Sequence, residues 1–246
     1  MKTKITSGIS LVIPVYNEQD LVVPCLSRCV SSLSQDFETF EIIVVDDGST
    51  DKTAEILESM ALTENRIRPL KNLINLNFGC SVLRGMAAAT LEYVVPNAID
   101  LPLAPESLAP LVEQAEKCDI LVLERTSYSG YVPWRILTSW TNRRLLKILF
   151  AHETKGTSDF NFTQIYRRSV LRKIWPLAKS PAFWNPEMIF RGRRLGLRIE
   201  SRAVEYYPRK SGKGSFGKPH DIMWALYDMF RFRLLTIFRN SYGRAG

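Results

Sequence analysis

The sequence predicts an α/β fold with a mainly parallel central sheet and amphipathic helices toward its C-terminus, and three observations carry that expectation. Short runs that are apolar at every position recur through the first half, as strands buried on both faces do. Apolar residues at helical spacing fill the intervals between them. Each run stops at carboxylates and turn formers, where an open α/β sheet binds its ligands, beyond the carboxyl ends of its strands.

The elements follow in order. Ser10-Leu11-Val12-Ile13-Pro14-Val15 reads as the first strand and Glu41-Ile42-Ile43-Val44-Val45 as the second. Glu18 to Leu33 places Leu21, Val22, Cys25, Leu26 and Cys29 on one helical face between them. A second helix carries Ala54, Ile56, Leu57 and Met60, followed by a short strand near Ile67, a loop at Asn77-Phe78-Gly79 and an Ala-rich helix around Met86 to Thr90. Tyr93-Val94-Val95 is a further strand, Leu108 to Lys117 a helix, and Asp119 to Leu123 closes the alternation. The second half is less regular. Residues 135–150 and 220–239 form apolar helices studded with Arg and Lys, and the Gly- and cation-rich segment Pro208 to Pro219 between them reads as a loop ordered by an anion.

With 246 residues, 46% hydrophobic and 24% charged, the chain can bury a large core without cross-links. Its four cysteines form no paired ligand pattern, which points to reduced thiols. Two histidines leave little room for His-based metal chemistry. No apolar stretch is long enough to span a bilayer, and Met1 to Ser10 does not read as a signal peptide. Charge is divided: residues 1–124 hold nine Lys or Arg against eighteen Asp or Glu, whereas residues 125–246 hold twenty-four against seven. An acidic first half suits a metal-assisted or neutral ligand, and a basic, Trp-containing second half suits an anionic surface or substrate.

Three strand ends carry the candidate ligand site: Tyr16-Asn17-Glu18, Asp46-Asp47-Gly48-Ser49-Thr50-Asp51, and Ala98-Ile99-Asp100. Carboxylates there can accept hydrogen bonds from a base or ribose, or hold a divalent cation against a diphosphate. The same residues have a structural reading, with Gly48 in a tight turn and Ser49, Thr50 or Asp51 capping the next helix. Walker A and Gly-x-Gly-x-x-Gly patterns are absent, which argues against P-loop and dinucleotide sites.

Leu11 to Glu18 followed by Val44 to Asp51 resembles the opening of the inverting GT-A glycosyltransferases of family 2. Asn77-Phe78-Gly79, Glu92 to Val95 and Asp100-Leu101 with Pro105-Glu106 are similar to the branch that moves a sugar from a nucleotide to a polyprenyl phosphate. The resemblance implies a GT-A domain over residues 1–215, with a nucleotide-sugar half (1–124) and an acceptor half (125–215), and a C-terminal amphipathic helix over 216–246 that lies in a membrane interface. Pro14, Tyr16, Glu18, Asp46 and Asp47 would hold the nucleotide, and Asp100 a divalent cation, Mg2+ or Mn2+, at the donor diphosphate. Where the family has Asp-x-Asp this chain reads Ala98-Ile99-Asp100, so one carboxylate is left, with Arg209 and Lys213 as cations that could take up diphosphate charge.

By the same resemblance Arg125, Arg209 and Lys213 would contact the acceptor phosphate, forked donors suiting such a group, and Asp159 would orient the acceptor or act as base. The implied activity is inverting transfer of a hexose, from a GDP-mannose or UDP-glucose type donor, to dolichyl or undecaprenyl phosphate. It would take place at the cytoplasmic face of a membrane, with an anionic lipid surface or a small membrane protein as further partner and no nucleic acid. Two readings compete: a family 2 enzyme acting on a glycan hydroxyl, and a catalytically silent GT-A binding protein.

Overall fold

The computed structural model describes residues 3–127, 133–178, 180, 182–207 and 219–242. Seven strands form one sheet in the order β3-β2-β1-β4-β6-β5-β7. β1 (Ile9–Val15) is central to the first half and pairs in parallel with β2 (Phe40–Asp46) and β4 (Tyr93–Pro96); β2 pairs in parallel with β3 (Ile67–Lys71). β6 (Gln164–Arg167) runs antiparallel to both β4 and β5 (Ile120–Arg125). β7 (Ile199–Val204) returns parallel to β5 at the edge. The carboxyl ends of β1, β2, β4 and β5 therefore share one rim, and Asp159, just before the antiparallel β6, comes to that rim too.

All seven positions of β1 and of β2 are buried, because helices cover both faces. One face packs Leu11, Ile13, Ile42 and Val44 against α1 (Gln19–Asp36) and α4 (Leu108–Ala115). α1 turns Val22, Cys25, Leu26, Cys29 and Leu33 inward at three- and four-residue spacing, and each such large side chain contributes about 1.5–3 kcal/mol of burial. The other face packs Val12, Ile43, Val45, Val94 and Val122 beneath α3 (Asn77–Ala88), α5 (Pro133–Leu149), α6 (Arg168–Ile174), α7 (Trp184–Arg194) and α8 (Pro219–Tyr242). α3 approaches closely at Gly85, where a Cβ would lie 2.4 Å from Val12 Cγ1. α2 (Thr53–Thr63) covers β2 and β3.

The expected strands and long helices are present, with two differences. The expected loop at Asn77-Phe78-Gly79 is the first turn of α3, which ends at Ala88 instead of running on to Thr90. Gly79 is buried at the face of that turn, so the apparent breaker is a close-packing residue. β6, α6, α7 and β7 give the irregular second half its order and tie it to the first half through the β4–β6 pairing. The expected anion-ordered loop at 208–219 lies outside the described residues, apart from Pro219 at the start of α8.

Candidate active site

The rim is built from two loops that hold each other. After β1, Asn17 adopts a left-handed φ of 53°. Its N–H donates to Ser49 Oγ (2.9 Å), while its Oδ1 accepts the Thr50 N–H (2.8 Å). Glu18 N–H donates to Thr53 Oγ1 (2.9 Å) and Gln19 N–H to Asp51 Oδ2 (3.3 Å); Lys52 N–H donates back to Gln19 Oε1 (3.2 Å). The first N–H groups of a helix have no partner within it, and here each loop supplies side-chain acceptors to the helix start of the other. Asp51 Oδ1 also accepts the Thr53 N–H (2.9 Å), an Asx-type turn one residue ahead of the N-cap of α2, which is Lys52 and not the expected Asp51. Those bonds hold the Asp51 carboxyl below its ordinary range against the opposing effect of burial.

The two neighbouring carboxylates behave differently. Asp47 is buried, and its Oδ1 accepts three hydrogen bonds, from Asn72 Nδ2 (2.7 Å), Ser81 Oγ (2.7 Å) and the Leu76 N–H (2.8 Å). Asp47 thus fixes the loop between β3 and α3 to the end of β2. Asp46 Oδ1 accepts the Ser49 N–H (2.9 Å), whereas its Oδ2 is buried without a partner among the described residues. A buried carboxylate oxygen without a donor is costly, and a ligand N–H or O–H would satisfy it. Gly48, at φ 77°, has no room for a Cβ, which would stand 2.8 Å from the Ile74 carbonyl carbon. Pro14 is buried in register with Val45, and Tyr16 is 45% exposed at the rim.

After β4 the turn is set by Asn97, a residue the sequence reading passed over. Its N–H donates to Val12 O (2.8 Å), its Nδ2 to Leu103 O (2.9 Å), and its Oδ1 accepts the Ala98 N–H (3.0 Å). Leu101 takes a left-handed φ of 50° in that turn, an uncommon conformation for a branched side chain. Asp100 is half-buried and makes no hydrogen bond or ion pair among the described residues. Its charge reaches α1: the Cys25 thiol is pushed far up by its hydrogen bond with Cys29, by burial, and by the negative charge of Asp100. No group of three His, Cys, Asp or Glu side chains suited to a metal is present among the described residues. One free carboxylate still fits a hard cation that keeps water and takes its remaining ligands from substrate phosphates.

At the end of β5, Arg125 and Asp159 form a buried forked pair, Nε to Oδ2 at 2.6 Å and Nη2 to Oδ1 at 2.8 Å, with side chains only 8% and 4% exposed. Phe162 and Tyr206 lie about the guanidinium, their ring centres 5.3 and 5.7 Å from Cζ. The Tyr207 N–H donates to Pro102 O (3.1 Å), joining the segment after β7 to the Asp100 turn. The rim therefore gathers Tyr16, Glu18, Asp46, Asp47 and Asp100 on adjacent strand ends. Arg125 and Asp159 stand farther along, about two to four inter-strand steps of about 4.8 Å each. Arg209 and Lys213 lie outside the described residues.

Comparisons with known proteins bear on this arrangement. The model of the family described as Glycosyl transferase family 2 matches residues 10–175. The undecaprenyl-phosphate 4-deoxy-4-formamido-L-arabinose transferase of Edwardsiella ictaluri is 33% identical over 173 residues, covering 68% of this chain and 51% of that protein. Its counterpart from Photorhabdus laumondii is 35% identical over 175 residues, with 68% and 51% covered. The chain thus spans about half the length of the curated relatives it matches. Among solved structures, S. aureus TarS 1-349 in complex with UDP-GlcNAc aligns with a TM-score of 0.63 at 19% identity, covering 93% of this chain and 66% of that one. Glucosyl-3-phosphoglycerate synthase from Mycobacterium tuberculosis, with Mn2+, UDP and glucosyl-3-phosphoglycerate, aligns with a TM-score of 0.64 at 21% identity, covering 94% and 79%. These likenesses establish the GT-A fold.

Proposed function

The chain belongs to glycosyl transferase family 2, and from that premise we propose that it moves a sugar from a nucleotide diphosphate to a polyprenyl phosphate with inversion. The observation that carries the reading is the braced rim, where a buried Asp46 oxygen and the Asp100 carboxylate, both without a hydrogen-bond partner among the described residues, stand at neighbouring strand ends. Support for the lipid acceptor comes from the undecaprenyl-phosphate transferases among the relatives.

In this reading Pro14, Tyr16, Asp46 and Asp47 hold the base and ribose, with Glu18 beside them. Asp100 holds a divalent cation, Mg2+ or Mn2+, together with diphosphate oxygens. When bound, that cation neutralises charge on the leaving diphosphate. The acceptor phosphate is an anion at neutral pH, so it can attack the anomeric carbon once oriented, without a proton being removed. Asp159 has both oxygens committed to Arg125, which favours a phosphate over a hydroxyl acceptor, because a hydroxyl needs a base. Arg125, with Arg209 and Lys213, is assigned to the acceptor side, Asp159 setting the orientation of Arg125.

No helix among the described residues is long and apolar enough to cross a membrane. Attachment in this proposal is peripheral, at a cytoplasmic membrane face, through α8 and α5. α8 packs Ala225, Met229, Phe232 and Thr236 on the core and exposes Met223, Tyr227, Phe230, Leu234 and Ile237 on its opposite side. α5 exposes Leu137, Trp140 and Ile148, with Arg144 stacked over Trp140 at 5.0 Å. Apolar faces edged by cations suit a lipid interface. The test is incubation with a panel of nucleotide sugars and polyprenyl phosphates, with Mn2+, followed by mass spectrometry of the lipid extract. A glycosylated lipid from any pair supports the proposal, and silence across the panel counts against it.

A further inference from the structure

On the face of the sheet covered by α5 to α8, a cleft of about 510 Å³ opens between the C-terminal end of α5 and the segment leading to β6. Lys147, Ala151, Thr154, Lys155, Gly156, Thr157, Ser158 and Glu124 line it. The charges around it do not balance. Lys147 and Lys155 form no ion pair among the described residues. The single carboxylate on the wall, Glu124, has both oxygens occupied, by the Ser158 N–H (2.8 Å) and the Ser158 hydroxyl (2.6 Å).

Behind the wall stands a third cation. Arg193 Nη2 donates to Thr157 Oγ1 (2.9 Å), and its Nε is buried without a partner among the described residues. No carboxylate pairs with Arg193 there, in contrast to Arg194, which is paired with Glu153, and Arg191, which is paired with Glu187. A half-buried guanidinium without a counter-ion is unfavourable, and burial pulls its pKa below the ordinary arginine range. Thr157 Oγ1, which accepts from Arg193, also contacts Ser201 Oγ (3.4 Å), and Ser201 Oγ donates to Gly156 O (3.1 Å), so the buried Thr157 hydroxyl serves to brace the wall. The N–H groups of Lys155 and Gly156 also make no hydrogen bond among the described residues. Gly156 has a left-handed φ of 70°, and successive N–H groups at such a turn form anion-binding concavities.

We propose that this cleft binds a phosphate group, held by Lys147, Lys155 and the turn N–H groups, with Arg193 supplying charge from behind. None of these residues is among those assigned to the nucleotide sugar or the acceptor, although Glu124 and Ser158 adjoin Arg125 and Asp159 in sequence, and the proposal does not depend on the transferase reading. Exposed Ile148 follows Lys147 on α5, so two sources offer the same chemistry, the headgroup of an anionic lipid or a soluble phosphate ester.

The test uses the full chain. Binding of inorganic phosphate is measured by calorimetry at constant ionic strength for the wild type, for Lys147→Gln/Lys155→Gln, and for Lys117→Gln/Lys173→Gln as a charge-matched control. The cleft double variant is expected to weaken phosphate binding at least about tenfold, as loss of charge-assisted bonds does. The control should match the wild type. Sedimentation with phosphatidylglycerol vesicles then distinguishes the sources. Loss of vesicle binding in the cleft variant, with phosphate competing in the wild type, assigns a lipid headgroup. Vesicle binding unchanged beside lost phosphate binding assigns a soluble ester. Absence of saturable phosphate binding by the wild type, or equal binding by the cleft variant and the control, overturns the proposal.

Discussion

Asp100 and the Arg125–Asp159 pair have opposite energetic characters. Asp100 contributes no hydrogen bond to the fold among the described residues, so Asp100→Asn should leave thermal stability nearly unchanged. If it holds the cation, turnover should fall about 10²-fold, the scale of losing one electrostatic contact to a leaving group; calorimetry of donor binding with and without Mn2+ and a melting curve check both halves. Arg125 and Asp159 are buried together, and removing one partner leaves the other charge uncompensated. Asp159→Ala is expected to destabilise by about 3–5 kcal/mol in urea unfolding, and Arg125→Met/Asp159→Leu to recover most of it. Glu41 gives a pH-dependent counterpart far from the rim. Burial would raise its carboxyl, but hydrogen bonds from Ser10, Thr90 and Arg68 hold it below its ordinary 4.5. A folded value below the unfolded one stabilises fully above the unfolded value, and that contribution is lost as pH falls through the folded value. Glu41→Gln should therefore cost stability at neutral pH, with the gap to wild type closing below about pH 4.5.

The two rim loops act as one element, since hydrogen bonds run in both directions between residues 17–19 and 49–53. Asn17→Gly keeps the left-handed backbone accessible but removes the acceptor of the Thr50 N–H. We expect it to weaken nucleotide-sugar binding while the chain stays folded; affinity equal to wild type would reduce the brace to a folding aid. How far this was legible in the sequence differs by element. β1, β2, β4 and β5 are apolar at nearly every buried position, and their shortness, β-branched content and bounding turn residues mark them as strands. β7 reads Ile-Glu-Ser-Arg-Ala-Val because it is an edge strand with most positions exposed. α7 opens on Trp-Asn-Pro-Glu and is buried over most of its length, so no amphipathic stripe announces it. Tyr16 to Glu18, Asp46 to Asp51 and Asp100 stood out as polar residues at strand ends. The cross-loop bonds, the Asn97 turn and the Arg125–Asp159 pairing did not, because each depends on partners brought together only by the sheet.

At the scale of the molecule, the division of charge follows the architecture. The acidic half forms the strand ends that face a nucleotide sugar in the proposed function, and the basic half forms the helices proposed to face lipid. Phe230→Ser/Leu234→Ser changes only exposed positions of α8, so it should release the chain from anionic vesicles in flotation assays without unfolding it; retention at wild-type levels would remove α8 from the interface. The central claim is that an acceptor phosphate attacks without a general base. The measurement that tests it most directly compares two acceptors of equal chain length, undecaprenyl phosphate and undecaprenol, with one nucleotide sugar and Mn2+. Glycosylated product from the phosphate and none from the alcohol is the predicted result, and turnover of the alcohol at a comparable rate would contradict it.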